Sequence, residues 1–158
     1  MLKSLLIKLL YFFSQKILAK YQPKIIGITG SVGKTSTKEA VAVALGGKFR
    51  LRQSPKSYNN EIGIPLTIIG AVRSPGRSLV GWAGVFVKVI GLLLRHQAYP
   101  EVLVLEMGAD KPGDISYLTR LAPGDSLQFD GEGAHGPTAL VALPIRFLSV
   151  IAFPDTTP

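Results

Sequence analysis

The run Ile25-Ile26-Gly27-Ile28-Thr29-Gly30-Ser31-Val32-Gly33-Lys34-Thr35-Ser36-Thr37-Lys38-Glu39 sets glycines, a lysine and a row of hydroxyls directly after a short β-branched segment. Glycines let backbone N–H groups converge on an anion with no Cβ in the way, and a helix that starts there adds the positive end of its dipole. In such a loop Lys34 reaches the outer phosphates of a nucleotide and the Thr35 hydroxyl sits on the accompanying magnesium ion. The full Walker pattern would need glycine where Ile28 stands, so the match is Gly30-x-x-Gly33-Lys34-Thr35. A glycine-rich turn with an exposed lysine would share that short match. The predicted strand before it and helix after it are the context that a phosphate loop requires.

A second group with chemistry is Glu106, at the end of Glu101-Val-Leu-Val-Leu-Glu-Met-Gly108. Four consecutive apolar residues suit a parallel strand covered on both faces, and open parallel sheets place their ligand crevice at the carboxyl ends of the strands. A carboxylate there can hold magnesium opposite Thr35, directly or through water; otherwise it is a strand-end glutamate facing solvent. The third group is the loop Ser54 to Pro65, dense in hydrogen-bonding side chains. Its Asn59 and Asn60 suit either substrate contacts or ordinary turn chemistry.

The elements that must position these groups follow from pattern. A strand is expected over Lys24 to Thr29, a helix over Thr35 to Leu45 stopped by Gly46-Gly47, and a short strand over Phe49 to Arg52. Leu66 to Ala71 is an apolar segment, Asp110 to Asp114 a turn, and Ile115 to Leu121 a further helix closed by Pro123. The expected class is α/β: a P-loop-containing, mainly parallel sheet flanked by helices, with an N-terminal amphipathic helix.

Two apolar segments stand apart. Met1 to Tyr21 is interrupted by lysines at 3, 8, 16 and 20, too often for the ~20 residues of a bilayer span. On a helix, Ser4, Lys8, Tyr11 and Gln15 share one side and Leu2, Leu5, Leu6, Leu9, Phe13 and Ile17 the other. Such a helix either lies in a membrane interface or packs on the protein's own core. Leu79 to Leu94, broken only by Lys88, calls for burial in protein, a partner or lipid; a span there would be short and carry a central lysine. Together the two segments read as a membrane-facing or mutually packed patch.

The 158 residues allow one domain or part of a larger enzyme. The absence of cysteine excludes disulfide scaffolds and thiolate metal sites and fits a reducing cytoplasm. The net charge of +8 is uneven: up to Lys56 there are eleven bases and one acid, and from Glu101 onward eight acids and three bases. Anionic headgroups or phosphorylated substrates suit the basic half, and without an aromatic-interleaved basic motif nucleic acid is not expected as a partner.

Taken together, Gly27 to Glu39, Tyr58-Asn-Asn-Glu-Ile-Gly-Ile-Pro65 and Val104-Leu-Glu-Met-Gly-Ala-Asp-Lys-Pro-Gly-Asp-Ile115 resemble the central ATP-binding domain of the Mur ligases. They are most like the MurF type, which joins D-alanyl-D-alanine to a UDP-N-acetylmuramoyl-tripeptide in peptidoglycan synthesis. The resemblance implies that ATP phosphorylates a carboxylate of the UDP-linked peptide and that an amine then attacks the acyl phosphate. Carried onto matching positions, it gives Gly30, Ser31, Gly33, Lys34, Thr35 and Ser36 to the nucleotide, Thr35 and Glu106 to Mg2+, and Asn59 and Asn60 to the substrate. Lys34 and Glu106 are the catalytic pair.

The resemblance covers residues 24–123. Residues 1–22 form a separate amphipathic helix where the family carries a UDP-sugar-binding domain, and 124–158 are an unassigned tail. In that tail Gly124 to His135 keeps little of the family's Asn-x-Gly-x-Ala-His pattern, so His135 reads as a chance histidine. A truncated or frame-altered fragment is therefore the expectation, located in the cytoplasm or at the inner face of the plasma membrane. The same loop would serve a folylpolyglutamate or cyanophycin ligase, or a membrane-associated nucleotide-binding module without ligase activity; the Asn59-Asn60 loop favours the MurF type.

Overall fold

The computed structural model describes residues 2–29, 33–55, 58–71, 75–108 and 120–122. The expected turn over Asp110 to Asp114, His135 and nearly all of the last expected helix lie outside them. In chain order the elements are α1 (Leu2–Tyr21), β1 (Lys24–Ile28), α2 (Lys34–Gly46), β2 (Leu51–Gln53), α3 (Gly63–Ile69), α4 (Leu79–Leu94) and β3 (Val102–Glu106). The three strands form a parallel sheet in the order β1-β3-β2, so the class is α/β as the pattern of elements predicts.

β3 is buried along its whole length and occupies the centre, with Ile28 opposite Glu106 at the end of the β1 ladder. Side chains alternate across the sheet. Ile26, Ile28, Val102 and Val104 meet Val41 and Leu45 of α2 on one face. Ile25, Leu103 and Leu105 meet α3 and its neighbours on the other. The chain moves two places across the sheet from β1 to β2 and then back one place to β3. Right-handed crossovers in opposite directions fall on opposite faces, and among the described residues α2 is alone on its side.

α3 is buried at every position, because it plugs the space between the sheet and the two longer helices. The expected loop is shorter than Ser54 to Pro65: Pro65 lies in the first turn of α3, where a missing N–H removes no intrahelical bond.

α1 packs on α3 and α4 by a face rotated from the expected one: Leu6, Phe13 and Ile17 of the expected side pack inward, but Leu5 and Leu9 do not. Leu10, Ser14, Ile17 and Leu18 are buried, whereas Leu5, Leu9 and Phe12 are exposed. Two apolar stripes compete on this helix. The buried one lets Tyr21 stack on Tyr99 at 4.5 Å and lets Lys20 donate to the carbonyls of Leu92, Leu93 and Arg95 at 2.8, 2.9 and 2.8 Å. A cation on the last carbonyls of a helix opposes its negative dipole end, so Lys20 fastens α1 to the end of α4.

The end of α3 is closed in the same way. Arg52 donates to Thr67 and Ile68 carbonyls at 3.1 and 2.8 Å, Lys88 to Gly70 at 2.5 Å, and the Tyr99 hydroxyl to Ile68 at 2.6 Å. Burial pushes the Tyr99 phenol up, and the nearby Arg52 guanidinium only partly offsets this. An acid whose folded pKa is raised gives stability that is full below its unfolded value near ~10 and declines as pH rises toward the folded value. Urea unfolding between about pH 9 and 11 should therefore show a stability loss from Tyr99 approaching ~1.4 kcal/mol per pH unit above the unfolded value. Tyr99→Phe should remove that part of the slope, and identical slopes in the two proteins would contradict the assignment.

Candidate active site

The site is built where β1 and β3 end together and α2 begins. Gly33 starts α2 in the left-handed region, φ +81°, a conformation that a side chain would strain. The first turn carries no acidic residue and no side-chain cap, which keeps its positive dipole end unneutralised from within the helix. Thr35, Lys38, Val41 and Leu45 recur at helical spacing toward the sheet; Lys38, Val41 and Leu45 are buried.

The alternation of β3 brings Glu106 to the face that Val102 and Val104 share, the face of α2. A slip of one residue would send it to the opposite side. In the observed register the Thr35 hydroxyl donates to Glu106 Oε2 at 3.1 Å and Lys38 Nζ donates to the same oxygen at 3.2 Å. Lys38 and Glu106 are both buried, with side chains 4% and 8% exposed. Behind them, the N–H of Glu106 donates to Ser54 Oγ at 3.0 Å, and the N–H of Ser54 donates to the Val104 carbonyl at 2.9 Å. The end of the central strand is thus pinned by the residue that follows β2.

Thr35 and Glu106, paired in the sequence reading, are therefore in contact. Lys34 lies half-buried one residue before Thr35, and Ser36 is exposed on α2. Gly30 and Ser31 lie outside the described residues. The asparagines flank the same strand end. The Gly108 N–H donates to the Asn59 carbonyl at 2.7 Å, and the Asn59 side chain lies 3.1 Å from where a Cβ on Gly108 would be, so a side chain there would press the Asn59 amide aside. Asn60 Oδ1 accepts the N–H groups of Ile62 and Gly63 at 3.2 and 2.9 Å, which closes the turn into α3.

Two contributors went unassigned in the sequence reading, Lys38 and Ser54. For Lys38 the signal was present: a lysine in line with Val41 and Leu45 on an apolar helix face needs a buried acid. For Ser54 nothing in its neighbourhood distinguishes it from the other hydroxyls of that loop.

A separate cleft of about 450 Å3 lies at the opposite ends of the strands, lined by Lys20, Tyr21, Arg50, His96, Tyr99 and Glu101 among others. Its carboxylate, Glu101, is exposed and accepts the Arg50 N–H at 2.9 Å, which holds its pKa below the usual range. Its hydroxyls, on Tyr21 and Tyr99, donate to backbone carbonyls, and its carboxylate is not buried as Glu106 is.

No family model matches the chain. It is 39% identical over 99 residues to the UDP-N-acetylmuramoyl-tripeptide–D-alanyl-D-alanine ligase of Mycobacterium leprae, a match covering 63% of this chain and 14% of that protein. It is 32% identical over 103 residues to the ligase of the same name from Bacillus subtilis, covering 65% of this chain and 17% of the relative. Among solved structures, the MurF ligase from Thermotoga maritima in complex with ADP matches with a TM-score of 0.56 at 29% identity, over 80% of this chain and 24% of that one. The chain thus spans 14% and 17% of the length of these two curated relatives.

The buried pair makes its own prediction. Removing one partner of a buried ion pair strands the other charge, at a cost of about 3–5 kcal/mol. Lys38→Met should lower the urea-unfolding free energy at neutral pH by about that amount, and Lys38→Met with Glu106→Leu should recover most of it. A single-variant loss below ~1 kcal/mol would show that Glu106 does not depend on Lys38.

Proposed function

We propose that this chain, MurF-like over the part it shares with the Mur ligases, binds ATP at the start of α2 and supplies the nucleotide half of an amide-forming ligation. The observation that carries this reading is the 3.1 Å contact between Thr35 and Glu106 at the carboxyl end of the sheet, beside a helix that opens on Gly33 and Lys34. Residues 24–123 are the ATP-binding unit in this reading. Gly30, Ser31, Gly33, Lys34, Thr35 and Ser36 hold the phosphates, and the reaction takes place in the cytoplasm.

Hydroxyl and carboxylate oxygens are the donors that Mg2+ prefers. Among the described residues there is no group of three or more His, Cys, Asp or Glu. That composition fits an ion which keeps several waters and shares phosphate oxygens, and it does not fit a closed metal cage. Thr35 and Glu106 would hold the ion. When bound, it supplies Lewis-acid stabilisation of phosphate charge. Lys34 adds a positioned cation for the outer phosphates, and Lys38 neutralises Glu106 so that the carboxylate does not repel the nucleotide.

The substrates proposed are those named for the relatives. A carboxylate oxygen of the UDP-linked muramoyl tripeptide attacks the γ-phosphorus, and the bond to the β-phosphate oxygen breaks with release of ADP. The amine of D-alanyl-D-alanine then adds to the carbonyl carbon of the acyl phosphate, loses a proton and expels inorganic phosphate. A carboxylate needs this activation because its own oxygen is a poor leaving group, and phosphoryl transfer between anions needs fixed positive charge. Asn59, against Gly108, is the substrate-side asparagine, and Asn60 shapes the loop that carries it.

Isothermal titration of the full chain with ATP and magnesium tests the first half of the reading. Lys34→Ala should weaken binding about 10- to 100-fold, the equivalent of one charge-assisted contact. Glu106→Gln should reduce the gain in affinity that magnesium provides without weakening metal-free ATP binding, because it removes a negative charge beside the phosphates. Equal ATP affinity in the parent and Lys34→Ala would remove the nucleotide site. ADP release that requires both the UDP-linked tripeptide and D-alanyl-D-alanine tests the second half, and ATP binding without such release would sink the ligation reading for this chain alone.

A further inference from the structure

α4 buries Val85, Val89 and Leu92 against the core and turns Val80, Ala83, Val87, Ile90 and Leu94 outward. These outward positions are spaced by three and four residues, so they form one stripe along the helix. Val80 is 83% exposed and Leu94 80% exposed. A helix facing only water places polar or charged residues on such a stripe, and here it holds none. α1 adds exposed Leu5, Leu9 and Phe12.

The two helices are parallel neighbours. Phe13 meets Phe86 edge-on at 6.2 Å, and Lys20 reaches the end of α4. Phe12, exposed on α1, stands edge-on at 5.4 Å to the Phe13 ring that meets Phe86 of α4, so the exposed apolar side chains of α1 begin beside the contact between the two helices.

Residues 1–22 and 75–97 contain no aspartate or glutamate. Lys3 pairs with Glu61 at 3.7 Å, and Lys20 and Lys88 are held by backbone carbonyls, so the exposed cations that bear on this face are Lys8, Lys16, Arg77 and Arg95. Lys16 lies over the Phe12 ring at 5.5 Å, a long side chain following apolar surface with its charged end at the edge. A second copy docked on this face would bring like charges together. An anionic lipid surface would satisfy both features, apolar side chains below the headgroups and lysines among them. Among the described residues no helix is long and apolar enough to cross a membrane, so the contact is peripheral.

We propose that the outward face of α1 and α4 docks on an anionic lipid membrane, so that the Glu106 site works at a membrane surface. The test is co-sedimentation of the full chain with vesicles of phosphatidylcholine alone and of phosphatidylcholine mixed with phosphatidylglycerol. The expected result is partition into the anionic vesicles, weakened by added salt and reduced about tenfold or more in Val87→Ser/Ile90→Ser. Lys8→Gln/Lys16→Gln, which leaves the apolar face intact, should lower only the preference for phosphatidylglycerol. Circular dichroism of both variants checks that the helices persist. Failure to bind anionic vesicles, or binding that survives the serine pair with its helices intact, would overturn the proposal. So would a stable dimer by light scattering that the serine pair dissociates, because the face would then belong to a second copy.

Discussion

A carboxylate removed from water costs several kcal/mol unless another charge meets it, and at the end of the central strand Glu106 is met by Lys38 at 3.2 Å. At an effective dielectric near 20 the gross attraction at that distance is about 5 kcal/mol. This is of the same order as the desolvation it must offset, so the pair adds little net stability. Its effect is geometric. One ammonium on α2 and one carboxylate on β3 fix the rotation of the helix over the sheet. The Thr35 hydroxyl can then reach the same oxygen, and the first turn of α2 faces the ends of β1 and β3.

The two faces of the sheet reach their stability by different means. On the α2 face a small apolar cluster and the buried pair suffice. On the other face two helices, α1 and α4, must pack around α3, and the carbonyl ends of α3 and α4 are closed by cations from elsewhere in the chain. Lys20 closes α4, and Arg52 and Lys88 close α3. Burial draws the pKa values of Arg52 and Lys88 down, which is the cost of bringing cations to these ends. The arrangement makes α1 part of the same packed unit as the sheet. Among the described residues it leaves the outward stripes of α1 and α4 exposed to solvent.

Much of this was legible in residue order because local chemistry dictated it. The unbroken apolar run before Glu106 required a covered parallel strand, and the strand–glycine–helix order around Gly33 required that α2 begin beside it. Thr35 and Glu106 met because a strand end and a helix start share one crevice in this class of sheet. The choice of buried face on α1 was only partly legible: Leu6, Phe13 and Ile17 pack inward as expected, but Leu5 and Leu9 are as apolar as Leu10 and Leu18 and stay exposed. The decision rested on Lys20 and Tyr21 finding the end of α4, more than seventy residues away in sequence. Asn60 was ambiguous for a similar reason: an amide that binds a ligand and one that closes a turn look alike until the N–H groups of Ile62 and Gly63 are in place.

The position of Lys38 also resolves an electrostatic difficulty in the proposed reading, in which this site takes phosphate. A lone carboxylate beside the start of α2 would repel a polyanion across a low-dielectric gap, and it would cancel much of the helix dipole. Lysine on the inner face of the same helix removes that repulsion without occupying the outer turn, where Lys34 and Thr35 stand. Glu106 then remains a source of oxygen for a divalent ion while the surrounding field stays positive. A divalent ion that draws on Oε2 must share it with the ammonium and the hydroxyl already there. Metal affinity at such a site is therefore moderated by the same contact that keeps the carboxylate in place, and binding becomes favourable when phosphate oxygens complete the ion's shell. In that reading metal and nucleotide together would bind more favourably than either alone.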